Sequence, residues 1–172
     1  CTGLHDYQLR RIRVFMSTEN DPLQDNWNEK QSKMAVGSGG LTGKGFLKGT
    51  QNILGFLPKT VAPTDFIYSV IAEERGFLGS VVVIGLFVLV IACGTLMALE
   101  TRDEFGRLLC VGVMVLMFFH AFVNMAMTVG LLPITGLPLP LLSYGGSFTV
   151  VTLAGVGFVQ SVHIRSRRPV EY

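Results

Sequence analysis

Three stretches of the chain carry no charged side chain and are long enough to cross a bilayer. Gly79 to Leu99 is built largely of Val, Ile, Leu and Phe. Leu108 to Leu132 is as apolar, with His120 and Asn124 its only strongly polar members. Gly145 to Val162 is shorter but continuous. A hydrocarbon core of about 30 Å takes about 20 helical residues, and a backbone in lipid must satisfy its own hydrogen bonds. The pattern therefore predicts three transmembrane helices. The stretch between the last two, Gly130 to Gly146, is apolar yet interrupted by Pro133, Gly136, Pro138 and Pro140. Irregular backbone of that greasiness is expected to fold back into the protein at the membrane edge, where it is tolerated if buried or lining a cavity.

Ahead of the first span the pattern changes. His5 to Met16 places Leu9, Ile12, Phe15 and Met16 at helical spacing with Arg10, Arg11 and Arg13 on other faces. It reads as an amphipathic helix on a membrane surface or against a partner, or as an ordinary packed helix. Asn20-Asp21-Pro22 ends it. Gln31 to Val36 predicts a short helix, and Gly37 to Gly49, with six glycines, a loop. The fold class is thus an all-α membrane protein: a long extracytoplasmic loop region over 1–65 with short helices, then three transmembrane helices within 66–172.

Composition agrees. Of 172 residues 49% are apolar and 15% charged, against about 25% charged in soluble domains. A net charge of +2 gives no argument for nucleic acid as a partner. Cys93 and Cys110 fall inside apolar segments and, with Cys1, form no C-x-x-C pair, so neither a disulfide framework nor a zinc site is expected. The chain opens on Cys1 rather than Met, as a piece of a longer protein would, and no signal peptide is read over Leu4 to Val14. Arg102 and Arg107 flank one short loop, and Arg165, Arg167 and Arg168 fill the tail, whereas Gly130 to Tyr144 has no charge. Positive-inside logic places 100–107 and the C-terminus in the cytoplasm and 130–144 outside, with 1–65. Segment 1–65 carries eight Lys and Arg, but the rule holds for loops shorter than about 60 residues.

Four features carry candidate chemistry. Asp65 stands at the end of the polar segment, where water meets lipid and a carboxylate can reach a lipid-linked head group. Thr64-Asp65 before Phe66-Ile67-Tyr68 also reads as a helix N-cap, worth about 1 kcal/mol. Glu73 and Glu74 follow two turns later; either a solvated face, or, turned inward, acids that raise the pKa of Asp65 by like-charge repulsion. Ser38 to Gly45 approaches a phosphate-binding loop but lacks its first glycine and the hydroxyl after Lys44. Lys33, Lys44 and Lys48 remain able to meet an anionic head group as point charges. His120 and Asn124, four apart, share one face inside the second span, where a polar group is either functional or bonded to a neighbouring helix.

With these residues in hand, the chain resembles the SEDS family (shape, elongation, division and sporulation proteins), and the RodA branch more than the FtsW branch. The strings that carry it include Gln31-Ser32-Lys33, Gly37-Ser38-Gly39-Gly40-Leu41, Gly43-Lys44-Gly45-Phe46-Leu47, Thr64-Asp65-Phe66-Ile67 and Phe105-Gly106-Arg107. The most specific runs from Gly130-Leu131-Leu132-Pro133 through Gly136-Leu137-Pro138-Leu139-Pro140 to Ser143-Tyr144-Gly145-Gly146-Ser147. The resemblance covers almost the whole chain and corresponds to the last three of about ten helices, so the piece alone is expected to be inactive. It implies a peptidoglycan glycosyltransferase of the bacterial cytoplasmic membrane that polymerises lipid II and works with a class B penicillin-binding protein. It further implies Asp65 as the catalytic acid-base residue, with Lys33, Lys44, Glu73, Glu74, Ser143 and Tyr144 as candidate substrate contacts. A divalent cation, Mg or Mn, is expected at the leaving pyrophosphate. Lys59 stands where the family usually has Glu, Pro63 where it often has His, and Arg75 where an apolar residue is usual. A lipid II flippase and a non-catalytic scaffold are the rival readings.

Overall fold

The computed structural model describes residues 24–49 and 63–166. Four helices fall within them: α1 Gln24–Ser38, α2 Ile67–Glu100, α3 Glu104–Thr128 and α4 Gly146–Ser166. Helices α2, α3 and α4 are each long and apolar enough to cross a membrane. They run up, down and up. The 100–104 turn and the end of α4 share one end, where His163 Nδ1 lies 3.8 Å from Glu100 Oε2. Helix α1, the glycine loop and the 130–145 loop share the other. The expected His5–Met16 helix, Lys59, Arg167 and Arg168 lie outside the described residues.

The three spans pack on small and flexible side chains. Ala98 of α2, Cys110, Met114 and Met117 of α3 and Val159 of α4 form one buried cluster. Gly94 lets α2 approach so closely that a Cβ there would overlap the Met114 thioether. Close approach over small residues is what holds helices together in lipid, where apolar burial alone gives no advantage. The outward faces carry exposed Val82, Leu89, Leu116 and Phe122, as a lipid-facing or bundle-facing surface requires.

The helix ends differ from expectation for local reasons. Helix α3 stops at Thr128, not Leu132. Gly130 takes φ 77°, its N–H bonds Met127 O at 3.1 Å and Leu131 N–H bonds Ala126 O at 2.8 Å. That paired pattern around a left-handed residue terminates a helix. The start of α3 is capped by Asp103, whose Oδ2 accepts from Gly106 N–H at 2.8 Å. Helix α1 begins well before Gln31. Its buried stripe is Asn28, Gln31, Ser32 and Ala35, helical in spacing but polar, so hydrophobic periodicity passes over it. Ser32 Oγ donates to Thr128 O at 2.8 Å and ties α1 to the end of α3.

Helix α2 starts twelve residues ahead of the predicted span and is broken once, at Gly76 (φ 66°, ψ −162°). Four backbone groups flanking the break bond to the glycine loop. Lys44 N–H and Gly45 N–H donate to Glu73 O and Glu74 O, both at 3.0 Å. Phe77 N–H and Leu78 N–H donate to Gly40 O and Leu41 O at 2.8 and 3.2 Å. Only glycine permits this approach: a Cβ at Gly39 would strike Ala72 O, and one at Gly43 would strike Glu74 O. The charged turn Glu73-Glu74-Arg75 is thereby separated from the apolar span that follows.

Candidate functional site

Asp65 lies one residue ahead of the α2 cap. The N-cap is Phe66, with no side-chain capping bond at that position, so Asp65 does not occupy the capping position that local sequence allowed. Phe66 is buried against Val70 and Ile134, and its carbonyl accepts from Ser69 Oγ at 2.7 Å. The turn that carries Asp65 is held from outside, through three consecutive carbonyls. Pro63 O accepts from Tyr144 N–H at 2.9 Å. Thr64 O accepts from Ser143 Oγ at 2.5 Å. Asp65 O accepts from Asn124 Nδ2 at 2.9 Å. The two donors on 143 and 144 come from the 130–145 loop; the third comes from the last turns of α3.

That loop does fold back into the protein, as its composition predicts. Leu139 is fully buried against Tyr68, Phe87 and Ala121. Ser143 Oγ, besides donating to Thr64 O, accepts from Leu139 N–H at 2.7 Å. Asn124 spends its second amide hydrogen on Leu137 O at 2.7 Å. The half-buried Asp65 carboxylate looks onto Gly136, where a Cβ would stand 3.6 Å from Oδ2. Gly136 adopts φ 73°, a conformation that glycine takes without strain.

The other expected contacts fall in different places. Ser143 and Tyr144 are brought to the turn that carries Asp65, Ser143 through its hydroxyl on Thr64 O and Tyr144 through its backbone on Pro63 O, with Tyr144 80% exposed. Glu73 and Glu74 sit about two turns, or roughly 12 Å, along α2. Glu73 is buried and its Oε1 pairs with Lys44 Nζ at 2.8 Å; Glu74 is buried with its stem near Gly49. Lys33 pairs with Glu29 at 2.6 Å on the same helix and lies against Gly130. In the near-match to a phosphate loop, the Lys44 and Gly45 amides are given to α2 carbonyls, not presented for an anion.

His120 and Asn124 share a face but not a setting. His120 lines an apolar cavity of about 200 Å³ with Val113, Leu116, Pro140 and Phe148, its ring 5.0 Å from that of Phe148. Asn124 reaches a segment 59 residues away, a link no local pattern reveals. Among the described residues no group of three His, Cys, Asp or Glu side chains could hold a metal ion.

Comparison with known proteins follows this geometry. A family model described as "Cell cycle protein", of the FtsW, RodA and SpoVE group, matches residues 2–168. The peptidoglycan glycosyltransferase MrdB of Escherichia coli (strain K12) is 46% identical over 160 residues, 93% of this chain and 43% of MrdB. The peptidoglycan glycosyltransferase RodA of Treponema pallidum (strain Nichols) is 42% identical over 94% of this chain and 37% of its own length. The probable peptidoglycan glycosyltransferase FtsW of Trichlorobacter lovleyi is 44% identical over 91% of this chain and 40% of its own length. A solved chain, from work on structural coordination of polymerization and crosslinking by a peptidoglycan synthase complex, superposes with a TM-score of 0.76. It is 33% identical, over 96% of this chain and 44% of that one. The chain thus spans less than half the length of each of these relatives.

Proposed function

Because this chain belongs to the FtsW, RodA and SpoVE family of cell cycle proteins, we propose that it is the C-terminal part of a peptidoglycan glycosyltransferase whose general base is Asp65. The acceptor is the 4-hydroxyl of an N-acetylglucosamine. Asp65 removes its proton as the oxygen attacks the anomeric carbon of the lipid-linked donor. The bond to undecaprenyl pyrophosphate breaks, that carbon inverts, and a β-1,4 link results. A positioned general base is worth roughly 100- to 10,000-fold in rate. The donor and acceptor are lipid II and its polymer, and the rod-shape, elongation role is favoured by the Gln31-Ser32-Lys33 and Gly43-Lys44-Gly45 strings. A class B penicillin-binding protein is the proposed crosslinking partner. The protein is placed in the bacterial cytoplasmic membrane, with the Asp65 end of the helices outside and the 100–104 turn inside.

The observation that carries this reading is the triple anchorage of residues 63–65. That anchorage fixes the backbone that carries the Asp65 carboxylate, and a base must be held at a fixed reach from the proton it takes. The test is Asp65→Asn in the full-length protein, assayed for polymerisation of purified lipid II. The variant should insert and unfold like the wild type but make no polymer. Wild-type polymerisation would refute the base assignment.

A further inference from the structure

We propose that Asn124 is a positioning residue for Asp65, acting through the backbone of residues 63–65 with Ser143 as its counterpart. The inference rests on the reading of Asp65 as the base and extends it to groups that never touch the sugar. Asn124 is fully buried on a span that must otherwise be apolar. A primary amide is costly to bury without hydrogen bonds, and this one is placed where two non-helical carbonyls need donors. One belongs to Asp65 and the other to Leu137, next to the Gly136 that faces the Asp65 carboxylate. A single side chain thus sets the spacing between the base and the loop opposite it. Ser143 repeats the device one residue earlier, donating to Thr64 O and accepting from Leu139 N–H.

With the peptide planes on both sides of Asp65 held, its Cα–Cβ direction is set. Loss of either donor frees one plane. A misplacement of about 1 Å in a reacting group costs on the order of 100-fold in rate. Substrate affinity changes little, because neither side chain is offered to substrate.

The test uses the full-length protein and lipid II, reading kcat and KM separately beside thermal unfolding. Asn124→Ala and Ser143→Ala are each expected to lower kcat about 10- to 100-fold with KM within threefold. Ser143→Thr keeps the hydroxyl and is expected to recover kcat to within threefold of wild type. If Asn124→Ala does not fold, the Ser143 pair alone decides. The proposal is overturned if kcat is unchanged in Asn124→Ala and Ser143→Ala. It is overturned equally if KM alone rises, or if Ser143→Thr is as impaired as Ser143→Ala. An inactive Asp65→Asn beside fully active Asn124→Ala and Ser143→Ala removes only the positioning role. An active Asp65→Asn removes the base itself, and the positioning role with it.

Discussion

Gly76→Ala tests the broken helix most directly. At φ 66°, ψ −162° the residue sits in a region open essentially to glycine, and a side chain held there costs about 1–3 kcal/mol. A Cβ would also collide with Gly43 N and the Leu41 carbonyl. If the helix stays broken, both costs fall on the folded protein. If it straightens, Phe77 and Leu78 return their N–H groups to Glu73 and Glu74. Two helical bonds then replace the four now made with the glycine loop. At about 0.5–1.5 kcal/mol per bond, that net loss of two is about 1–3 kcal/mol. Either route destabilises by a similar amount, and the second also swings residues 67–75, with Asp65 ahead of them, about the break. The assay is unfolding of the full-length protein in detergent, with amide exchange at Lys44 and Gly45 and lipid II polymerisation alongside. The control is Gly85→Ala, where a Cβ meets nothing within 4 Å and alanine favours helix by about 1 kcal/mol. Gly85→Ala should be neutral or stabilising. Gly76→Ala should unfold at lower temperature, exchange faster at both amides and polymerise more slowly. If Gly76→Ala matched Gly85→Ala in all three, the loop would not be what holds the break.

Two further outcomes follow from packing. Lys44→Met removes the cation paired with the buried Glu73 carboxylate and should cost about 3 kcal/mol, the low end for a broken buried pair because Lys44 is partly exposed; adding Glu73→Leu should restore part of that in equilibrium unfolding. Gly94→Ala drives a methyl onto Met114 and should cost about 1–3 kcal/mol; combining it with Met114→Val should cost less than the sum of the two singles, as a double-mutant cycle reads directly.

The three spans were legible because their lack of charge is a property of each stretch alone. Their ends were not, where termination depends on conformation: Gly130 ends α3 early through its left-handed backbone, and Gly76 lets α2 extend past its apolar part. The sequence pattern shows only the second half of helix α1, because the stripe it buries includes the polar Asn28, Gln31 and Ser32. Asp65 stood out by position and by family resemblance, and the turn toward Gly136 is visible only in three dimensions. Asn124 drew notice as a polar group at depth, paired with His120 by spacing; its bond to Asp65 O joins residues 59 apart. Lys44 and Glu73 stand 29 apart, so no local pattern pairs them.

One constraint accounts for both irregular regions. Near the bilayer, backbone N–H and C=O groups outside a helix must find protein partners. At Gly76 the glycine loop supplies them, and ahead of α2 they come from Asn124, Ser143 and Tyr144. The base proposed at Asp65 stands at this boundary, on non-helical backbone. The donors that make such backbone tolerable there also fix where its side chain points. Positioning of Asp65 is therefore inseparable from satisfying its peptide groups, and a substitution that removed a donor without moving the carboxylate would contradict that link.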